Sequence, residues 1–232
     1  MGRKKLYETV EQLKELVVIG QGSIKMITIA PELKGAQEAI SYLSSVGVFA
    51  AIGHTEGNFH DAAAATDNGA SIVTHFLNAM NKENSPGSIA NFVMTDPRLT
   101  VELIVDGHHQ SFEKVQELFE AIGPRIIMVS DAMAAAGNGD GSYTIGALPV
   151  EVKDGVARLR SNLKLAGSTL TISQAFNNLI NKCGLSIEQA VHATSTQPAH
   201  AFGLKDRGGI AVGMRADLLS YNSSSGSISV IS

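Results

Sequence analysis

The sequence has 232 residues, 44% of them hydrophobic, with 18 Lys and Arg against 22 Asp and Glu for a formal charge of −4. That apolar share and that modest charge exclude an intrinsically disordered chain. No basic stripe is available to neutralise phosphates, which argues against a nucleic-acid or membrane-surface binder and for a small-molecule partner.

The length suits one globular unit at the small end of an α/β barrel, which typically takes about 250 residues. The start Met1-Gly2-Arg3-Lys4-Lys5 is basic, but Leu6 to Leu16 carries Glu8, Glu11, Lys14 and Glu15 and is no signal-peptide core. No apolar run approaches about 18 residues, so no membrane span is expected. The lone Cys183 allows neither an intrachain disulfide nor a Cys-rich zinc site, in keeping with a reducing, cytoplasmic location.

In chain order, a starting helix gives way to short apolar runs that alternate with helical patterns. The strand candidates are Ile24–Ile29, Val48–Ile52, Ser71–His75, Leu99–Val105 and Arg125–Val129. The helix candidate Ala36–Leu43 stops at Val46-Gly47, His60–Thr66 at Asn68-Gly69, and Phe112–Ile122 at Gly123-Pro124. This is the rhythm of a parallel sheet with helices outside it. After Asp131 the pattern changes. Gly137-Asn138-Gly139-Asp140-Gly141-Ser142 reads as a flexible loop or lid, since it lacks the Gly-Lys-Ser/Thr of a phosphate loop. Leu148–Val152 and Val156–Leu159 around Asp154-Gly155 read as a β-hairpin. Helices are expected over Thr169–Asn181, capped by Ser168, and over Ser186–Thr194, where Ser186 and Gln189 form a capping box. The tail returns to β character around Ala216–Tyr221 and fades into Ser223–Gly226.

The strand ends carry the chemistry. Four of them run into Pro31-Glu32, Gly53-His54, Asp106-Gly107-His108-His109 and Ser130-Asp131, and the remaining strand ends on His75 itself. In parallel α/β architectures, the loops at the C-terminal ends of strands converge on one face and hold the reactive groups. One carboxylate, Glu32, with two imidazoles, His54 and His75, suits Zn or Fe with positions left for water and substrate. A metal lowers the pKa of bound water toward about 7, and a nearby carboxylate such as Asp131 can move its proton. The expected reaction is metal-assisted hydrolysis. His60, His192 and His200 fall inside helical patterns and read as structural or solvent-exposed, Cys183 as a buried small side chain, and Asp106-Gly107 as a strand-to-loop bend.

Together, Ala30-Pro31-Glu32, Gly53-His54-Thr55, Thr74-His75-Phe76-Leu77-Asn78-Ala79-Met80, Asp106-Gly107-His108-His109, Ser130-Asp131-Ala132-Met133 and Leu165-Ala166-Gly167-Ser168 resemble the N-acetylglucosamine-6-phosphate deacetylases of the amidohydrolase superfamily. The resemblance runs from about Ile24 to Leu219, and Gly208–Leu219 resembles the superfamily's return into a small β-sandwich domain. It implies Glu32, His54 and His75 as metal ligands, Asp131 as catalytic acid/base, His109 polarising the acetamide carbonyl, and Asn78 with the backbone of Ala79 holding the sugar phosphate. The implied reaction removes acetate from N-acetylglucosamine 6-phosphate to give glucosamine 6-phosphate. The implied fold is a partial TIM-like (β/α) barrel over residues 1–207, with 208–232 a remnant of the β-sandwich. The expected partner is an amino-sugar phosphate, with a homodimer left open and no nucleic acid or membrane.

The match has departures. Where the family places an Arg for phosphate, this chain has Asn84 or a close neighbour, with Lys82 available as a point charge. Phe76-Leu77 reverses the usual aliphatic-aromatic order, and Ser130 stands in place of the commoner Thr. The family's opening strands, with a His-X-His pair and a His-Leu-Glu-Gly-Pro segment, do not occur here. Five strand candidates are present, where a closed barrel takes about eight. Two alternatives therefore stand beside the deacetylase: a catalytically impaired fragment or paralogue of it, and another amidohydrolase acting on a cyclic amide.

Overall fold

The computed structural model describes residues 9–81 and 85–231, in two compact units divided between Glu102 and Leu103. The phosphate-binding alternatives Lys82 and Asn84 lie outside the described residues.

The first unit alternates helix and strand. Helix α1 (Val10–Ile19) starts at a Thr9/Gln12 capping box. Strand β1 (Met26–Ile29), helix α2 (Ala36–Ser45), strand β2 (Phe49–Ile52), helix α3 (Phe59–Asp67), strand β3 (Ala70–Val73), helix α4 (Ile89–Thr95) and strand β4 (Thr100–Leu103) follow. The strands pair parallel, with Met26 opposite Phe49, Ile52 opposite Val73 and Val73 opposite Val101. Apolar residues on both strand faces explain the arrangement: a sheet with two faces to bury is covered by crossover helices. Leu13, Leu43, Ile52 and Ile89 are fully buried, each contributing roughly 1.5–3 kcal/mol of transfer free energy.

The second unit begins at the last residue of β4. Helix α5 (Phe112–Ile122) leads through a tight turn at Gly123–Arg125 to strand β5 (Ile126–Met128), and Val129 N–H donates to the Leu103 carbonyl at 3.0 Å. Strand order in the sheet thus follows chain order. Strands β6 (Gly141–Ile145), β7 (Leu148–Lys153) and β8 (Val156–Leu159) form an antiparallel sheet over a small core of Ala135, Val150, Val152, Ala157 and Leu159. Helix α6 (Ile172–Asn181) and helix α7 (Ile187–Val191) come next, then a π-helical turn at His192–Thr196 and helix α8 (Gln197–Ala201). Strands β9 (Leu218–Asn222) and β10 (Ser227–Ile231) pair antiparallel, and the Tyr221 ring meets Phe176 edge-on at 5.0 Å.

All five expected strands form, each somewhat shorter than its apolar run. Helix α6 begins later than expected. Its cap is Thr171, because the Ser168 hydroxyl is committed to the Ser130 carbonyl and the Leu170 amide. The glycine-rich stretch is not wholly a loop: Gly141 opens β6, whose Ser-Tyr-Thr alternation follows glycines that dominate the local composition. The serine-rich tail does not fade but turns back as β10. Helix α4 is not legible in the sequence, since seven residues are too few to display a helical period.

Candidate active site

Strand β2 continues through Gly53 to His54, and β3 through Thr74 to His75. Gly53 is fixed by space: a Cβ there would lie 2.8 Å from Thr28 Cγ2 and 3.0 Å from Thr74 Cβ. The hydroxyls of Thr28 and Thr74 hydrogen-bond at 2.8 Å beside it. His54 and His75 then take left-handed backbone conformations, φ 50° and 33°. The result is that Nε2 of His54 and Nε2 of His75 meet at 2.9 Å with the rings 77° apart. His75 is buried and His54 exposed. Beneath them the buried Glu102 holds the turn, its carbonyl accepting from Phe76 N–H at 2.7 Å and its carboxylate from His75 N–H at 3.3 Å.

Glu32 is fastened by its neighbours. One carboxylate oxygen accepts from the buried Thr55 hydroxyl at 2.6 Å and the other from the Glu56 amide at 3.0 Å. Among the described residues, no three His, Cys, Asp or Glu side chains gather closely enough to hold a metal. The part of the expected ligand set that is brought together is the histidine pair. Two imidazole nitrogens brought to 2.9 Å are donor types suited to a borderline divalent ion such as Zn or Fe.

Beyond His75 the chain stays strained, with Leu77 at φ 64° and Ala79 at φ 51° around Asn78, whose amide donates to the His75 carbonyl at 2.9 Å. Among the described residues eight non-glycines have φ in the left-handed region, and five of them are His54, His75, Leu77, Ala79 and Asp131. Such residues cost of order 1–3 kcal/mol each and cluster where surrounding structure enforces a functional geometry. Four of the five fall between His54 and Ala79, which marks those strand ends of the first unit as a candidate site; Asp131 belongs to the second unit.

In the second unit, Asp131 follows β5 at φ 48°. Its carbonyl accepts from Ser168 N–H at 2.7 Å, the Ser168 carbonyl accepts from Met133 N–H at 2.9 Å, and the Ser168 hydroxyl donates to the Ser130 carbonyl. Gly167 permits the approach: a Cβ there would sit 3.1 Å from the Asp131 carbonyl oxygen, on a backbone already at φ 63°. The Leu165–Ser168 motif is therefore a clamp on the Asp131 backbone.

His109 is held by Asp106. One Asp106 oxygen accepts from the amides of His108 and His109 at 2.8 and 2.9 Å, and the other lies 2.7 Å from His109 Nδ1. Burial pushes the Asp106 carboxyl up, but the hydrogen bonds from the His109 ring and from these amides outweigh it and hold the group below the usual carboxylate range. The His109 side chain is 2% exposed, and its Nε2 has no hydrogen-bond partner among the described residues. Gly107, at φ 78°, makes the bend, where a Cβ would meet the Phe112 ring at 2.8 Å. Beside Asp106 and His108 a polar cavity of about 240 Å³ is walled by Asp154, Thr169, Gln174 and Asn178.

The sequence reading missed Thr28, Thr55, Thr74, Glu102 and the second role of Asp106. Glu102 had a signal, a charge inside the apolar run Leu99–Val105. Thr28 is an ordinary strand residue without a signal, while Thr55 and Thr74 stand in the motifs around His54 and His75 with nothing local to give their partners. His60 and His200 are exposed and His192 is half-buried. Cys183 is buried, and burial pushes its thiol up to about 11, so it is no nucleophile at neutral pH.

Residues 168–229 match the model of the Amidohydrolase family. Over 217 residues, 92% of this chain, it is 33% identical to the N-acetylgalactosamine-6-phosphate deacetylase of Escherichia coli O157:H7 and 32% to the N-acetylglucosamine-6-phosphate deacetylase of Vibrio furnissii. It superposes with a TM-score of 0.91, at 37% identity over 97% of its length, on an aspartate-to-alanine variant of the N-acetyl-D-glucosamine-6-phosphate deacetylase of Mycobacterium smegmatis in complex with N-acetyl-D-glucosamine-6-phosphate. The chain is similar to N-acetylhexosamine-6-phosphate deacetylases. The corresponding deacetylase of Thermotoga maritima gives a TM-score of 0.88 at 32% identity over 97% of this chain. Against these deacetylases the chain is part-length: it spans 57% and 54% of the two curated relatives and 60% and 61% of the two solved chains. Among its described residues no helix is long and apolar enough to cross a membrane.

Proposed function

We propose that this chain carries the hydrolytic site of a metal-dependent deacetylase that releases acetate from N-acetylglucosamine 6-phosphate. The observation that carries the reading is the meeting of His54 Nε2 and His75 Nε2 at the ends of adjacent parallel strands. The deacetylase relatives support the substrate class. His54, His75 and Glu32 would hold a divalent metal, Zn or Fe by donor type. When bound, that ion supplies Lewis acidity to water and to the acetamide carbonyl.

The chain's own residues do the rest. Asp131 takes the proton of the attacking water as general base and returns it to the departing nitrogen as general acid. His109 contacts the substrate through Nε2: with its Nδ1–H donating to Asp106, the ring offers Nε2 as an acceptor to an N–H or O–H of the substrate. Asn78 and the Ala79 amide hold the sugar phosphate. In the same reading the sheet of β1 to β5 is part of a TIM-like (β/α) barrel, residues 208–232 are the return segment of a small β-sandwich domain, and the protein acts in the cytoplasm.

The test is metal analysis with acetate release measured on N-acetylglucosamine 6-phosphate, its galactosamine epimer and a cyclic amide. Stoichiometric Zn or Fe, with acetate release lost in Asp131→Asn, supports the reading. Folded protein that binds no metal sinks it, and turnover of the galactosamine epimer alone would transfer it to the substrate named for the Escherichia coli relative.

A further inference from the structure

We infer that Asp106 is a positioning residue for His109, dictating which ring nitrogen is offered to the substrate. The inference rests on the reading of His109 as a substrate contact. The two oxygens of Asp106 have separate tasks. Oδ1 is saturated by the amides of His108 and His109 and shapes the loop, while Oδ2 faces His109 Nδ1 at 2.7 Å. A carboxylate only accepts, so its Nδ1 partner must carry a proton. The ring is thereby locked with Nε2 turned away from Asp106.

Nε2 of His109 is a buried polar atom with no hydrogen-bond partner among the described residues, on a residue 5% exposed. A buried ring nitrogen without a partner is unfavourable, and a ligand atom that hydrogen-bonds to it would relieve that. The Asp106–Gly107–His108–His109 turn is thus a built device: glycine for the bend, one oxygen for the backbone, one oxygen for the ring, and a single nitrogen left to contact a ligand. Loop shaping alone would need only Oδ1.

The discriminating variant is Asp106→Asn. Its side-chain oxygen can keep both backbone amides, which leaves the NH₂ group facing Nδ1. That nitrogen must then accept, and the ring proton moves to Nε2. In the full chain labelled with ¹⁵N-histidine, with His109 identified by loss of its signals in His109→Gln, wild type is expected to show a protonated Nδ1. Asp106→Asn is expected to show Nδ1 bare and Nε2 protonated. On N-acetylglucosamine 6-phosphate, Asp106→Asn should lower kcat at least about tenfold with KM within about twofold, and adding it to His109→Gln should cost nothing more. A bare Nδ1 in wild type, unchanged kcat in Asp106→Asn, or additive losses in the double variant would overturn the inference. If Asp106→Asn fails to fold, the wild-type ring spectrum still decides the tautomer. If wild type releases no acetate the deacetylase reading fails by itself, and the ring protons still test Asp106.

Discussion

His54 and His75 present the same ring nitrogen to each other at 2.9 Å, from positions 21 residues apart. Each stands two residues past a strand of a parallel sheet, on a backbone that ordinary residues avoid. A hydrogen bond between the rings uses one donor and one acceptor, whereas a divalent cation would take a lone pair from each. Zinc added to chelator-treated wild type should therefore raise Tm, and His54→Ala or His75→Ala should abolish the shift. At a zinc concentration of 100 times Kd the gain corresponds to about 2.7 kcal/mol. Equal shifts in wild type and both variants, read by differential scanning fluorimetry, would contradict the pairing.

Gly53→Ala tests whether the approach to His54 is sterically set. The new methyl would press on Thr28 and Thr74 at 2.8 and 3.0 Å, and overpacking of this kind costs about 1–3 kcal/mol. Urea unfolding should show that loss, and zinc affinity should fall with it because the strand end carries His54. The same substitution at Gly137, where nothing lies within 4 Å, is the steric control; its own φ of 80° adds a backbone cost without a clash.

At Asp131 the backbone and the carboxylate can be separated. Asn tolerates φ near 48° better than Ala does. Asp131→Asn should keep Tm near wild type while acetate release falls by about 10² or more. Asp131→Ala should lose activity and also about 1 kcal/mol of stability. Retained turnover in Asp131→Asn would remove Asp131 from the acid/base role.

Asp106 gives a signed pH dependence. Its folded-state carboxyl lies below the ordinary aspartate range, so ionisation favours the folded chain. That contribution is fully present above the unfolded value of about 3.9 and is lost as pH falls from there through the lower folded value. The stability gap between wild type and Asp106→Asn should therefore be constant from neutral pH down to about 5 and close under more acidic conditions, measured by urea titration. A gap that widens on acidification would reverse the assignment.

The buried thiol of Cys183, raised to about 11, should resist alkylation in the native state at pH 7.5 and react stoichiometrically once the chain is unfolded in guanidinium. Rapid native-state labelling would show that α6 and its neighbours open far more easily than their packing implies.

Strand-end residues were readable because a period of apolar runs and a polar terminus are both local signals. Glu32, His54, His75, His109 and Asp131 all stood out this way. The devices that hold them were not readable, because each joins segments distant in sequence: Thr28 with Thr74, Glu102 with His75, Ser168 with Asp131. The left-handed conformations of His54, His75 and Asp131 were equally hidden, since neither His nor Asp announces φ above zero as glycine does. Ser168 shows the cost of local reasoning most plainly. Its spacing from α6 suggested a helix cap, while its hydroxyl serves a strand end 38 residues earlier.

That last contact also orders events in time. The Asp131 turn leaves β5 in a conformation the isolated segment would abandon, and the residues that pin it lie beyond the whole β6–β8 sheet. Long loops must close before such a contact forms, so it belongs to the slow, non-local part of folding. A growing chain released before Ser168 would have every strand from β1 to β5 and still lack a fixed Asp131. Competence at that position is acquired late, when a short segment far downstream docks on it.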